Sequence, residues 1–208
     1  MPSPMRLHSL RSKEQGGPGP ILRSRRPSAP DAAASEVVER RHRSRSAADT
    51  DRLGRVIGQS LRGGEIVALY GELGTGKTAL VRGVAAGLGA PPRAVSSPTF
   101  VLVHEYRGRL RLAHADLYRI QTAAELPQVG LSDYLDGNTV VAIEWAEKAG
   151  PELPQDRLEI HLSHRGEFSR GILLKASGSC SRGLLARVMK RCAARTHTRA
   201  LPKTERAR

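Results

Sequence analysis

Large aromatic side chains are scarce in this chain of 208 residues, which has one Trp, four Tyr and two Phe. All of them fall between Tyr70 and Phe168, so the two ends lack the large apolar groups that repay the entropy of ordering. Cysteine is scarcer still. Cys180 and Cys192 are the only two, and neither has a His or Cys partner at metal-ligand spacing, which excludes a disulfide scaffold and leaves two reduced thiols with no assigned role. No run approaches the roughly 18–20 apolar residues of a membrane helix. The segment Met1–Leu10 has no apolar signal-peptide core. These absences lead us to expect a soluble, cytoplasmic protein with no membrane partner.

What is abundant is positive charge: 34 Lys and Arg stand against 20 Asp and Glu, a net charge of +14. Its distribution is uneven. Residues 1–48 hold ten basic and four acidic residues, 49–178 hold fifteen of each, and 179–208 hold nine basic and one acidic. Hydrophobic residues make up 39% of the chain, which excludes wholesale disorder. The expected organisation is a basic, Pro/Gly/Arg-rich disordered extension over 1–45, one neutral domain over 46–178, and a basic tail over 179–208 that is partly helical. The run Gly16-Gly17-Pro18-Gly19-Pro20 argues against the amphipathic helix of an organelle transit peptide.

Within the neutral block, Asp49 or Thr50 can cap a helix whose apolar residues Leu53, Val56, Ile57 and Leu61 recur at three- and four-residue steps. Gly63-Gly64 closes it. Glu65–Tyr70 then reads as a fully buried strand. Lys77–Leu88 reads as a helix ended by Gly89, and Phe100–Tyr106 with Leu110–Ala115 as a hairpin around Arg107-Gly108-Arg109. A helix is expected over Glu125–Leu135, and strands over Thr139–Ile143, Leu158–Leu162 and Gly171–Ala176. Strands alternating with helices predict an α/β fold with a mostly parallel central sheet and flanking helices.

Between the first strand and the second helix lies Gly71-Glu72-Leu73-Gly74-Thr75-Gly76-Lys77-Thr78, which fits the P-loop spacing of a nucleoside triphosphatase. Its glycines let successive N–H groups turn inward as an anion nest, and the following helix adds the positive end of its dipole. Lys77 is placed to reach the β- and γ-phosphates, and the Thr78 hydroxyl to meet Mg²⁺. Two carboxylates, Asp116 and Glu144, end candidate parallel strands and so lie on the sheet edge that carries the P-loop. Thr78, Asp116 and Glu144 suffice for a metal that keeps most of its waters. The single asparagine, Asn138, is followed by Thr139. The Asn-Lys-x-Asp motif that reads guanine is therefore absent, and ATP is the expected nucleotide.

Taken in order, the P-loop, Ser97-Pro98-Thr99-Phe100, His114-Ala115-Asp116-Leu117-Tyr118-Arg119, Glu125-Leu126, Gly130-Leu131, Asp133-Tyr134-Leu135 and Ile143-Glu144-Trp145 resemble the TsaE family. That family comprises the small P-loop ATPases of the bacterial machinery that forms threonylcarbamoyladenosine in tRNA. The resemblance implies that Gly71 to Thr78 and the adjoining Ala79 hold nucleotide, with Lys77 catalytic. It implies that Thr78, Asp116 and Glu144 form the metal and hydrolytic site, with Glu144 either base or ligand. Thr99 then belongs to a switch-like loop over the γ-phosphate, Trp145 lies beside the site, and Thr50 and Arg170 touch the nucleotide. It further implies that ATP hydrolysis assists the TsaD and TsaB proteins, which carry out the transfer to tRNA.

The chain departs from the family pattern at its basic ends and at Leu126-Pro127-Gln128, where a proline stands in an expected helix. A nucleic-acid-binding P-loop clamp that holds RNA through its basic tails is an alternative, as is plain solvated tails. A small-molecule kinase is a third reading, without an arginine-rich lid to sustain it.

Overall fold

The computed structural model describes residues 37–91, 95 and 103–200. The expectations for residues 1–36 and for the loop at 97–99, Thr99 included, lie outside the described residues. The elements run β1 (Val38–Ser44), α1 (Ala47–Ser60), β2 (Ile66–Tyr70), α2 (Lys77–Gly87), β3 (Val103–Arg107), β4 (Arg111–Asp116), α3 (Leu126–Val129), β5 (Val140–Glu144), β6 (Leu158–His164), β7 (Arg170–Ala176) and α4 (Ser179–Ala200).

The seven strands form one sheet in the order β1-β7-β6-β2-β5-β4-β3. The four central strands, β6, β2, β5 and β4, are mutually parallel, and the three outer ones add antiparallel. Strands β2 and β5 are apolar along nearly their whole length and buried on both faces, as central parallel strands must be. Strands β6 and β7 instead alternate buried with half-buried residues, which marks a sheet region that the described residues cover on one side only.

Helices α1 and α2 lie on one face in backbone contact. A methyl group added to Gly54 meets the Leu80 carbonyl oxygen at 2.2 Å, and one added to Gly58 meets that of Val84 at 2.2 Å. From the other side, Gly83 and Gly87 face the carbonyls of Asp51 and Arg55 at 2.2 and 2.4 Å. Ser46, not Asp49 or Thr50, caps α1: its Oγ accepts from the Asp49 N–H at 3.1 Å. The helix therefore starts earlier than its apolar pattern suggests, and Thr50 is left inside the first turn.

The folded domain extends past both expected boundaries. Val38–Ser44, expected as disordered extension, is an edge strand paired along its length with β7; its polar sequence suits an edge that needs backbone partners more than apolar burial. Ser179–Ala200, expected as a partly helical tail outside the domain, is a helix that buries Leu184, Leu185 and Val188 in the core. Asp156 caps it from a distant loop, accepting the N–H groups of Cys180 and Ser181 at 2.8 Å each. Arg187 donates to Glu65 at 2.7 Å and to the Ser60 carbonyl at 2.8 Å, which ties α4 to the turn between α1 and β2.

The helix expected over Glu125–Leu135 is broken into a 3-10 turn at Ala123–Glu125, α3, and a second 3-10 turn at Leu131–Tyr134. Gly130, at φ 67°, makes the break. Pro127 sits in the first turn of α3, where its missing N–H costs nothing. Arg109, in the turn of the expected hairpin, donates to the carbonyls of Gly58 and Leu61 at 3.2 and 2.9 Å and so closes the end of α1. Among the described residues, no helix is long and apolar enough to cross a membrane.

Candidate functional site

The parallel register sets the site. Strand β2 delivers the glycine-rich loop at its C-terminal end, and β4 and β5, in register beside it, end on Asp116 and Glu144 as direct neighbours. The loop turns through Gly71, Gly74 and Gly76, at φ 134°, 76° and 102°, conformations that side chains other than glycine rarely adopt. Thr75 is buried and its hydroxyl donates to the Glu72 carbonyl at 2.8 Å. Leu73 stands at the loop's exposed tip.

Lys77 opens α2. Its Nζ donates to the carbonyls of Gly71 and Glu72 at 2.6 and 3.0 Å and lies 3.6 Å from the centroid of the Trp145 ring. Burial pushes the lysine below its ordinary pKa, against the opposing charges of Glu144, Glu147 and Asp116. Trp145 directly follows Glu144 and is the one non-glycine residue at positive φ (58°) among the described residues. Such a conformation costs about 1–3 kcal/mol. Here it places the indole against the ammonium, a cation–π contact.

The Thr78 hydroxyl donates to Glu144 Oε2 at 2.9 Å. The other oxygen, Oε1, lies 2.9 Å from Nε2 of His114, which is fully buried on β4. Because a carboxylate only accepts, Nε2 carries the proton; Nδ1 has no hydrogen-bond partner among the described residues. Asp116 is buried and its Oδ1 accepts from the Tyr118 N–H at 3.0 Å. Thus Lys77, Thr78, Asp116, Glu144 and Trp145 converge. His114 is a site residue that sequence reasoning left without a role, although its position two residues before Asp116 on one strand puts both on the same face.

A second group lies on the other flank of the loop. Thr50 is buried, bonded to Ser44 Oγ at 2.8 Å, and its methyl faces Gly76. Arg170 donates to the Gly74 carbonyl at 3.3 Å. Between them opens a cleft of about 470 Å³, lined also by Arg45, Ala79 and the exposed ring of Phe168. Neither Arg45 nor Phe168 carries a signal in the sequence that singles it out.

Among the described residues, no three His, Cys, Asp or Glu side chains form a ready metal cluster. A hydroxyl and two neighbouring carboxylates are nevertheless the hard oxygen donors that suit Mg²⁺, which takes one or two protein carboxylates and keeps its waters.

The family model described as threonylcarbamoyl adenosine biosynthesis protein TsaE matches residues 44–172. The tRNA threonylcarbamoyladenosine biosynthesis protein TsaE of Treponema pallidum is 41% identical over 129 residues, which cover 62% of this chain and 95% of that protein. Its counterpart in Bacillus subtilis is 37% identical over 132 residues, or 63% and 82% of the two chains. The crystal structure of Bacillus subtilis YdiB superposes with a TM-score of 0.63 at 29% identity, covering 75% of this chain and 97% of that one. With its P-loop on a mostly parallel core sheet and a family match that begins at the end of β1 and stops within β7, the chain belongs to the TsaE family of tRNA threonylcarbamoyladenosine biosynthesis proteins.

Proposed function

We propose that this protein is a Mg²⁺-dependent ATPase that assists a TsaD–TsaB complex in forming threonylcarbamoyladenosine at position 37 of tRNA, by binding and hydrolysing ATP and without carrying out the transfer. The observation that carries the reading is the direct bond between Thr78 and Glu144 beside Lys77. It joins the phosphate-binding end of a P-loop to a buried carboxylate at the end of the neighbouring strand.

In this reading the N–H groups of Gly71 to Thr78 and the Lys77 ammonium exchange their present partners for phosphate oxygens. Thr78, Asp116 and Glu144 would hold Mg²⁺, which when bound neutralises charge developing on the β- and γ-phosphates. Glu144 or Asp116 orients a water for attack on the γ-phosphorus; the bond to the β-phosphate oxygen breaks and ADP and inorganic phosphate leave. Trp145 holds Lys77 in line from below, and Thr50, Ala79, Phe168 and Arg170 receive the rest of the nucleotide. With the Phe168 ring exposed at the cleft, turnover by the isolated protein is slow and the partner completes the enclosure.

The test is ATP turnover with TsaB and TsaD present. Lys77→Ala and Glu144→Ala each lower it by about 100-fold or more, the loss typical of removing a group that stabilises transition-state charge. Wild-type rates in both variants overturn the reading. Turnover raised by a small phosphate acceptor, and not by the proteins, points instead to a kinase.

A further inference from the structure

One face of the sheet is covered over β2, β5 and β4 by the segment between β4 and β6, which supplies Leu117, Ile120, Leu126, Leu131 and Leu153 to that side of the core. Over β6, β7 and β1 the same face has no such cover among the described residues. Their half-buried or exposed residues form cross-strand rows: His161, Leu173 and Arg41 in one, Ser163, Gly171 and Arg43 in the next. Together with Arg165 they line a shallow concavity of about 640 Å³.

The charge on this face is unbalanced. Its acids are already engaged: Glu39 pairs with Lys175 at 3.2 Å, and Glu159 with Arg157 at 2.7 Å and with His161 at 3.1 Å. The guanidinium groups of Arg41, Arg43 and Arg165 have no hydrogen bond or ion pair among the described residues. Arg165 lies across the sheet, its Nε 3.0 Å from where a methyl on Gly171 would stand, so the absence of a side chain at Gly171 leaves it room. Arg41 and Arg43, two residues apart on one strand, project side by side about 7 Å apart. Beside them the rings of Tyr70 and His161 are stacked, 4.5 Å between centroids and 13° between planes.

We infer that this uncovered sheet face is an RNA-binding surface, with Arg41, Arg43 and Arg165 on backbone phosphates and the Tyr70–His161 stack as a platform for an unpaired base. Three unpaired guanidinium groups answer a repeating anionic backbone. A stacked ring pair with one partly open side offers a base a π-surface and offers an acidic peptide nothing comparable, which is why the commitment is to RNA. The surface shares no residue with the glycine-rich loop, although Tyr70 adjoins it, and binding measured without nucleotide tests the inference independently of ATP hydrolysis.

The experiment is a salt titration of the binding of the full-length protein to an unmodified tRNA transcript, without nucleotide, followed by fluorescence anisotropy. Each phosphate contact contributes about 0.7–0.9 to the slope of log K against log salt, so Arg41→Gln/Arg43→Gln/Arg165→Gln lowers the slope by about 2 and the affinity at 0.1 M salt by about 100-fold. Replacing the same three residues by Lys restores the slope. A control that removes equal charge from exposed positions on the helical face, Arg52→Gln/Lys190→Gln/Arg191→Gln, leaves it at the wild-type value. His161→Ala weakens binding about tenfold with no change of slope. Equal slopes for the triple variant and the control overturn the inference. So does polyglutamate binding that matches tRNA and is lost in the same variant, since it assigns the face to an acidic protein.

Discussion

His114 offers the sharpest separation between a packing role and a role at the site. Replacing it by Phe keeps a ring of similar size inside β4 but removes the Nε2–H that Glu144 Oε1 accepts at 2.9 Å. Losing a hydrogen bond to a charged group costs about 1.5–3 kcal/mol, while deleting the buried, unpartnered Nδ1 relieves about 1 kcal/mol or more. The two effects offset in part. The expected net loss is about 1 kcal/mol, a fall in Tm of about 2–4 °C for a domain of this size. The effect on turnover is larger. Glu144 keeps only its bond to Thr78 as an anchor, and a displacement of about 1 Å at a reacting group costs on the order of 100-fold. ATP turnover with TsaB and TsaD present therefore drops in kcat with KM for ATP nearly unchanged, because the loop and Lys77 are untouched. A variant with the lowered Tm but kcat within twofold of wild type refutes the reasoning and returns His114 to the core.

Gly54→Ala places a methyl 2.2 Å from the Leu80 carbonyl oxygen, so α1 and α2 must part by about 1 Å, at a cost of about 3 kcal/mol. A urea midpoint equal to wild type contradicts the backbone contact. Asp156 tests the docking of α4. Burial pushes its pKa up, but the N–H groups of Ser181 and Cys180 outweigh burial and hold it below the ordinary 3.8. Its contribution is thus present above pH 3.8 and fades as pH falls through the lowered value in the folded state. Asp156→Asn loses about 0.5–2 kcal/mol at pH 7, and the gap to wild type narrows below about pH 4; a gap that stays constant from pH 7 to pH 3 argues against the cap.

The parts of the fold legible in the sequence are those where one physical demand dominates. Ile66–Tyr70 and Val140–Glu144 are apolar without interruption because both their faces are buried, and the loop from Gly71 to Thr78 is fixed by spacing. Where two demands compete, reading fails. In α4 the stripe of Leu184, Leu185 and Val188 is present in the sequence, yet nine basic residues over 179–208 mask it in any account by composition. β1 has one apolar residue facing the core, Val38, and is held by backbone pairing that no side-chain pattern records. Ser46 lies nearly two turns ahead of Leu53, where the apolar repeat begins, so the repeat could not reveal it as the cap. Trp145 was legible as a neighbour of Glu144, but its left-handed backbone was not, since the residue type gives no warning of it. His114 and Asp116 share a strand face in the sequence itself; that the histidine engages Glu144 depends on the register of β4 against β5.

The glycines between α1 and α2 have a mechanical consequence. With no side chains to act as a compliant layer, the two helices move as a single piece, and the bonds from Arg109 and from Arg187 with Glu65 add the β3–β4 hairpin and α4 to that piece. One wall of the cleft beside the glycine-rich loop, carrying Thr50 and Ala79, is therefore stiff. Widening or narrowing of the cleft falls to the opposite wall, the turn between β6 and β7 that bears Phe168 and leads into Arg170.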